Sequence, residues 1–350
     1  MMKIIKILGV LLMFYILIAG MCVPLKPGIL DCSPNKVNAG EELKLKVIGY
    51  NTNYDQSSGN KAFLKFDTVQ ILAANKVLQS DPTTLLAYFD IPKSIASNNK
   101  LAEATLIVSN EVDGVSLLPS ALVVKEATPS FDATPWVTDL RSQIVLKDEM
   151  AFPFRNILYE TIRNTFFHVA IWMSMMILLI GAFYNSIQYL RTREMKYDRK
   201  SYSLTTVSIV YGFIGLITGS VWAKFTWGTF WTSDIKLNMA AIAMLIYSAY
   251  WILRSSIEDL DNKYKISAIY NIFAFVALIP LIYIVPRLTD SLHPGNGGNP
   301  ALGGEDLDNT LRMVFYPAIF GLAFLGLWLS NLKERTMALE YYMNERDLNS

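Results

Sequence analysis

The sequence predicts a mainly α fold: a six-span helical membrane protein with an extracytoplasmic antiparallel β-sandwich inserted after the first span. Three observations carry this prediction. Hydrophobic residues make up 52% of the 350 residues and charged residues only 17%, whereas a typical soluble domain has about 25% charged residues. Six long apolar segments are spread along the chain. One polar region near the amino terminus instead alternates apolar and polar residues.

The first apolar segment runs from Ile7 to Val23 and follows two lysines. Its length of about 17 residues is short for a span, so it is either a cleaved signal peptide or a retained helix. The residues before Cys22 fit a cleavage site poorly, and we expect residues 1–24 to form a first transmembrane helix or signal anchor. Cys22 and Cys32 are the only cysteines, and they either pair or stay free.

Residues 25–135 have the pattern of an Ig-like β domain. Short alternating runs occur at 42–48, 62–66, 84–89 and 104–108. Turn residues separate them, at 38–40, 57–60, Asn98–Asn99 and Asp113–Gly114. Strands at this spacing predict a small antiparallel sandwich. The stretch from Ile107 to Val124 resembles the last hairpin of Ig-like domains of the IPT/TIG type. Such domains usually serve as binding modules or as spacers.

The rest of the chain is expected to form a helical domain. Residues 136–165 are predicted to be a linker and an interfacial helix, because the stretch from Phe154 to Phe167 is amphipathic. Residues 166–335 contain five further apolar segments, and residues 336–350 form a tail. The segments lie near 168–190, 204–222, 237–254, 266–285 and 313–332.

The connecting loops predict the orientation. Residues 191–200 hold five basic residues, which places that loop in the cytoplasm. By alternation, residues 254–265 and the tail are also cytoplasmic. The loop 287–308, with one arginine and four acidic residues, is outside. The prediction is a multi-pass protein of the inner (cytoplasmic) membrane, with both termini in the cytoplasm and the sandwich outside.

In this topology His168 and His293, the only two histidines, lie at the extracytoplasmic ends of spans. A tryptophan-rich stretch lies between them, and its part from Trp227 to Asp234 is expected to form the loop after the third span. Imidazole is a common axial ligand of haem iron, and aromatic rings suit a flat apolar macrocycle. The metal ligands are therefore expected to be His168 and His293, and the further cofactor-binding residues to be Trp222, Trp227, Trp231 and Asp234.

The same residues also have alternative roles that are purely structural. The tryptophans could belong to an interfacial aromatic belt, although their loop position predicts that Trp227 and Trp231 contact haem more than Trp222 does. Asp234 could cap the fourth helix, and Lys224 could reach the haem propionates. The sequence has no nucleophile–base pair or phosphate-binding loop, so we expect no enzymatic activity. The net charge of +1 gives no indication of nucleic-acid binding.

At these residues the chain resembles the haem exporter protein C (CcmC) family, within the group of haem-handling proteins with a WWD domain. The resemblance covers about residues 150–335. The segments that carry it are His168-Val-Ala-Ile-Trp172, Thr218-Gly-Ser-Val-Trp222, Trp227-Gly-Thr-Phe-Trp231-Thr-Ser-Asp234 and Leu292-His293. Ala170 and Ser233 stand where the family pattern has proline and tryptophan, and the sandwich is additional to the usual compact form.

The resemblance implies a haem-handling or export step in cytochrome c maturation. It implies transient binding of b-type haem and presentation to an extracytoplasmic haem chaperone, with an ATP-binding-cassette membrane complex and the lipid bilayer as further partners. One alternative is a cytochrome c synthetase-type haem lyase component, which carries more histidines and more spans. A quinol-oxidising cytochrome b subunit would need histidines deep within the spans. A haem-free membrane anchor for the Ig-like domain would need no histidine pair.

Overall fold

The computed structural model describes residues 2–93, 95, 101–125, 136–147, 149–156, 158–293 and 307–348. The chain divides into two compact units, one formed by Pro24–Glu160 and the other by Met1–Val23 together with Thr161–Ser350. The turn expected at Asn98–Asn99 lies outside the described residues, and so do residues 294–306 of the expected outer loop.

The unit Pro24–Glu160 contains two β-sheets, which confirms the predicted β domain. Its described strands are β1 (Gly28–Ser33), β2 (Lys36–Asn38), β3 (Glu42–Tyr50), β4 (Lys61–Lys65), β5 (Ile71–Ala73), β6 (Lys76–Asp81), β7 (Thr84–Asp90), β8 (Leu101–Asn110) and β9 (Gly114–Lys125). One sheet has the order β1-β3-β7-β6 and the other β2-β9-β8-β4-β5. The ladders are antiparallel except that β2 pairs with β9 in parallel.

Alternation along the strands builds the core of this unit. In β3 the side chains of Leu43, Leu45 and Val47 are buried, and the residues between them are more exposed. Because successive side chains point to opposite faces of a strand, one face of β3 joins a single apolar cluster with Phe89 of β7 and Leu122 of β9. The sequence pattern missed β1, β2, β5 and β6. These strands have at most six residues, and β6 is exposed along almost its whole length, so it has no apolar alternation to detect.

The second unit is helical. Its α-helices are α1 (Met2–Cys22), α2 (Ala170–Thr192), α3 (Met195–Trp227), α4 (Ile235–Ser256), α5 (Leu260–Ile279) and α6 (Asn309–Leu348). Short 3₁₀ and π turns extend α2 backwards to Tyr159 and α5 forwards to Arg287. Six helices are long and apolar enough to cross a membrane. This confirms the predicted fold class, a multi-pass membrane protein with a β domain.

The third span is longer than the sequence predicted at both ends. α3 begins at Met195, so the expected basic loop is reduced to Arg193 and Glu194. Its last residue is Trp227, and the following Gly228 has a φ of +82°, the left-handed conformation that terminates a helix. No helix-breaking residue lies between Trp222 and Gly228. Trp227 is therefore the last residue of the helix and not the first residue of the loop.

The expected interfacial helix over residues 154–167 is helical only from Tyr159. Before that point Phe154 stacks on Tyr50 at 5.3 Å between ring centroids and meets the Tyr159 ring edge-on at 5.9 Å. Aromatic packing against β3 thus takes the place of a helical turn. The chain then runs through a π turn at Thr165–Val169 directly into α2.

The first helix is an integral part of the helical unit, where it packs along α6. Gly9 and Gly321 allow a close approach, since a Cβ at Gly321 would lie only 3.0 Å from the Leu12 Cβ. At the other end of α1, the Arg163 guanidinium donates to the carbonyls of Gly20 and Val23 at 2.7 and 2.8 Å. It thereby satisfies carbonyl groups that the helix end leaves unpaired.

Candidate functional site

One end of the helical unit gathers most of the residues that the sequence singled out. This end contains the start of α2, the end of α3, the start of α4 and the segment that follows α5. His168 belongs to the π turn before α2, a type of irregularity that is frequent at functional sites. His293 lies six residues beyond Arg287, the last residue of the α5 extension.

His168 is oriented by Thr218 of α3. Its Nδ1 lies 3.1 Å from the Thr218 Oγ1. The Thr218 hydroxyl donates its single proton to a backbone carbonyl, that of Ile214 at 2.9 Å or Gly215 at 3.1 Å, so its oxygen accepts from His168. This hydrogen-bond network assigns the proton of the neutral ring to Nδ1 and leaves the lone pair on Nε2.

Two glycines let His168 and the neighbouring Trp172 lie directly against α3. A Cβ at Gly219 would come within 2.7 Å of the His168 Cε1, and one at Gly215 within 2.6 Å of the Trp172 Cε2. Residues four apart share a face of a helix, and glycine pairs at this spacing allow helices to approach closely. The backbone of α3 therefore forms one wall of the His168 position.

His293 is oriented by Asp234. The His293 Nδ1 lies 2.9 Å from the Asp234 Oδ1. The Asp234 Oδ2 accepts from the Ser291 hydroxyl at 2.8 Å and from the Leu292 N–H at 2.7 Å. The carboxylate side chain is 1% exposed and the imidazole 19%. One buried carboxylate thus fixes the whole segment that carries His293.

Asp234 also caps α4, because its Oδ1 accepts from the backbone N–H of Lys236 at 2.9 Å. Burial by itself would raise the pKa of this carboxyl group, but the hydrogen bonds from Ser291 and Leu292, with the nearby His293, lower the pKa below its usual value. For His293, burial lowers the pKa and outweighs the opposite effect of Asp234. The pair is therefore an ionised carboxylate that accepts from a neutral imidazole, whose lone pair is on Nε2.

Two tryptophans of α3 pack against His293. The ring centroid of Trp222 lies 5.5 Å from that of His293 and the centroid of Trp227 lies 4.8 Å from it. The two indoles meet edge-on at 4.9 Å. Trp222 is also one helical turn along α3 from Gly219, the contact of His168. Consecutive turns of α3 thus contact the two histidines.

Trp231 is not part of the group formed by Trp222, Trp227 and His293. It lies in the loop Gly228–Asp234, is 43% exposed, and its indole N–H donates to the Asn238 Oδ1 at 3.2 Å. Lys224, expected as a candidate partner of propionates, donates to the carbonyl of Gly228 at 2.8 Å and lies over the Phe230 ring. Both side chains stabilise the turn between α3 and α4.

Sequence reasoning assigned no role in positioning the imidazoles to Gly215, Thr218, Gly219 or Ser291, although Thr218 and Gly219 belong to a segment that carries the family resemblance. The signals were present as a Gly-x-x-x-Gly spacing in an apolar segment and as a serine two residues before a histidine. They become informative only when the histidines are known to lie beside them. No group of three or more metal-ligating side chains occurs within the described ranges.

Comparisons with known proteins show the family to which the chain belongs. The family model described as "Heme exporter protein C" (CcmC) matches residues 151–348. "Heme exporter protein C" of Haemophilus influenzae is 25% identical over 138 residues, which are 39% of this chain and 55% of that protein. The Paracoccus denitrificans protein of the same name is 26% identical over 183 residues, 50% of this chain and 73% of that protein.

A second kind of relative matches a shorter stretch. "Cytochrome c biogenesis protein CcsA" of Prochlorococcus marinus is 40% identical over 74 residues, which are 21% of this chain and 23% of that protein. The matches to the Haemophilus influenzae and Escherichia coli proteins span about half of those relatives, 55% and 54%. The family model covers more than half of the present sequence, including both histidines and the tryptophan-rich stretch. The chain therefore belongs to the heme exporter protein C (CcmC) family.

Proposed function

We propose that this protein handles haem in cytochrome c maturation: it holds a transiently bound b-type haem at the extracytoplasmic face of the inner membrane and presents it to a haem chaperone. The observation that supports this most directly is the orientation of the two imidazoles. In each ring Nδ1 is held by a hydrogen bond, to Thr218 or to Asp234. In both rings the side-chain hydrogen bond is made through Nδ1, so Nε2 is the nitrogen that we assign to the iron.

Such rings fit an axial ligand of haem iron. A histidine that binds a metal through one ring nitrogen usually donates the other N–H to a carboxylate, carbonyl or water, which fixes the tautomer and makes the ligand more basic. Asp234 does this for His293, and the Thr218 hydroxyl takes the equivalent place for His168. In the proposal these two histidines ligate the iron, while Trp222 and Trp227 supply apolar surface for the macrocycle.

The activity proposed is the transfer of a bound molecule, not a catalytic turnover. Energy from ATP, if the step uses it, comes from a partner, because the sequence contains no phosphate-binding loop. This is consistent with an ATP-binding-cassette membrane complex as a partner. A haem lyase component of the synthetase type is the second candidate, favoured by the match to CcsA. The presence of only two histidines favours the first.

The direct test is the absorbance of the purified full-length chain in detergent, recorded as a reduced-minus-oxidised spectrum. We expect haem bands, either as isolated or after titration with haem at a one-to-one ratio. A haem-free anchor would show neither bound haem nor a shifted spectrum on titration. That outcome would refute the proposed haem-handling function.

The aromatic contacts predict an order among the tryptophans. Removing an aromatic ring that haem would bury costs on the order of 1.5–3 kcal/mol, so Trp222→Ala and Trp227→Ala should each lower haem affinity about tenfold or more. Trp231→Ala should change it little, because Trp231 contacts Asn238 and not the histidines. The structure thus changes the order expected from loop position, in which Trp231 ranked above Trp222. The order is measured as haem content per protein, at equal abundance of the three variants. Equal losses in all three variants would contradict the predicted order.

The proposed orientation predicts which sites are reachable from outside the cell. In a Cys22→Ser, Cys32→Ala background, Ser233→Cys and Ser256→Cys place one thiol at each end of α4, at two exposed positions. A membrane-impermeant maleimide should label only Ser233→Cys in intact cells and both variants after permeabilisation. Ser201, the residue directly after the expected cytoplasmic loop, is unsuitable because it is buried against Ser186 and Asn271. Labelling of Ser256→Cys in intact cells would reverse the orientation.

A further inference from the structure

The helical unit has a second polar site, at the end opposite to the histidines. An open cleft of about 550 Å³ lies between the start of α3, the end of α4, the start of α5 and the later part of α6. The lining residues that matter here are Tyr202, Trp251, Ile252, Arg254, Lys263 and Lys333. No part of the proposed haem site uses this cleft.

A buried ion pair forms the rigid wall of the cleft. Arg254 donates to both carboxylate oxygens of Asp198, at 2.8 and 2.6 Å, and both residues are almost fully buried. The guanidinium carbon lies 4.4 Å from the Tyr202 ring centroid and 5.4 Å from that of Tyr264. Because the geometry is bidentate and stacked, Arg254 is fixed and its charge is neutralised by Asp198.

The net positive charge of the cleft therefore comes from two lysines on different helices. Lys263 belongs to α5 and Lys333 to α6, and the Lys333 ammonium lies 6.0 Å from the Tyr202 ring centroid. Across the described part of the chain, neither lysine has a carboxylate within ion-pair distance. Two half-buried like charges that line one cleft favour an anion between them.

The remaining wall is apolar and faces outward. Ile252 is 69% exposed although it belongs to a membrane-spanning helix, so it faces the hydrocarbon. Trp251 lies beside it and donates its indole N–H towards Thr206 at 3.4 Å. Tryptophan and lysine near the ends of spans are characteristic of the membrane interface. The cleft thus combines cations, an aromatic ring and a lipid-facing apolar edge.

We propose that this cleft binds the phosphate of an anionic phospholipid, with Lys263 and Lys333 at the phosphate and an acyl chain along Trp251 and Ile252. Basic pockets between transmembrane helices are known to hold anionic lipid headgroups. A soluble phosphate would satisfy the lysines equally, but it would leave the apolar edge without a role. Lipid binding in this cleft does not depend on haem, so an experiment can refute the lipid proposal without refuting the proposed haem function, and the reverse.

Native mass spectrometry of the full-length haem-free chain tests this, with phosphatidylglycerol and phosphatidylcholine titrated in parallel. Phosphatidylglycerol should bind more tightly. Lys263→Gln and Lys333→Gln should each weaken it about fivefold and leave phosphatidylcholine binding unchanged. The matched control is Lys265→Gln, which removes one lysine charge from an exposed position of α5 outside the cleft lining and should have no effect.

Three results would overturn the proposal. Equal binding of the two lipids would show that the cleft does not select charge. A loss in Lys265→Gln as large as in the cleft variants would show a diffuse surface effect. Displacement of phosphatidylglycerol by millimolar inorganic phosphate or glycerol 3-phosphate would identify a soluble anion as the ligand. Lys263→Arg and Lys333→Arg keep the charge and must retain binding, which separates loss of charge from misfolding.

Discussion

Replacing either histidine by alanine is expected to abolish the wild-type haem spectrum. If both imidazoles ligate iron, His168→Ala and His293→Ala each remove one axial nitrogen and leave the iron five-coordinate or bound to water. Loss of a partner that only orients a ligand typically lowers metal affinity roughly 10–100-fold, so loss of the ligand itself should exceed that range. Haem content and the reduced-minus-oxidised spectrum of each purified variant measure the effect.

The two variants should also differ in rescue by added imidazole. His168 lies against Gly219, which has no side chain to fill the vacated space, so His168→Ala should leave a ring-sized gap beside α3. Imidazole at millimolar concentration should restore a six-coordinate spectrum there. His293→Ala instead removes one of the hydrogen bonds by which Asp234 holds the segment Ser291–His293, so rescue should be weaker. Ser233→Ala, an exposed position in the same loop as Trp231, serves as the control for abundance. Wild-type spectra from both histidine variants would refute the ligand assignment.

The second large effect is expected at Asp234, which combines two roles. Asp234→Ala removes the cap of α4, which should cost on the order of 1 kcal/mol of stability. It also removes the acceptor of the His293 Nδ1–H, which should lower haem affinity roughly 10–100-fold. Asp234→Asn should keep most of the capping, since asparagine is a good N-cap residue. Its amide nitrogen can only donate, so at the position of Oδ2 it cannot accept from Ser291 or from Leu292, and haem affinity should still fall.

Asp259 provides the matched control for this prediction. It caps α5 in the same way, with its Oδ1 accepting from the Asn262 N–H at 2.8 Å, at the end of the unit away from the histidines. Asp259→Ala should lower stability by a similar amount and leave haem affinity unchanged. Thermal unfolding and haem titration of the two alanine variants separate the roles. An equal loss of haem affinity in Asp259→Ala would show that Asp234 acts only as a helix cap.

The sequence by itself determined the fold class and the candidate ligands. A span is encoded locally, because crossing the hydrocarbon requires roughly 17–25 predominantly apolar residues. Each of the six helices is long and apolar enough to cross a membrane. The alternation in β3 and β8 is local in the same sense. The two histidines stood out because the chain has no others. Their neighbouring motifs identified the family, which the family model confirms over residues 151–348.

Only the tertiary structure decided which side chains meet. Trp222 and Trp227 are five positions apart, about 140° around a helix, and so do not share a face by periodicity. Both nevertheless contact His293, because that segment returns beside the end of α3. Trp231, equally prominent in the sequence, does not. Asp234 and His293 are 59 residues apart, and Arg254 and Asp198 are 56 apart. Such pairs depend on how helices rotate and pack against one another, which local patterns of hydrophobicity do not encode.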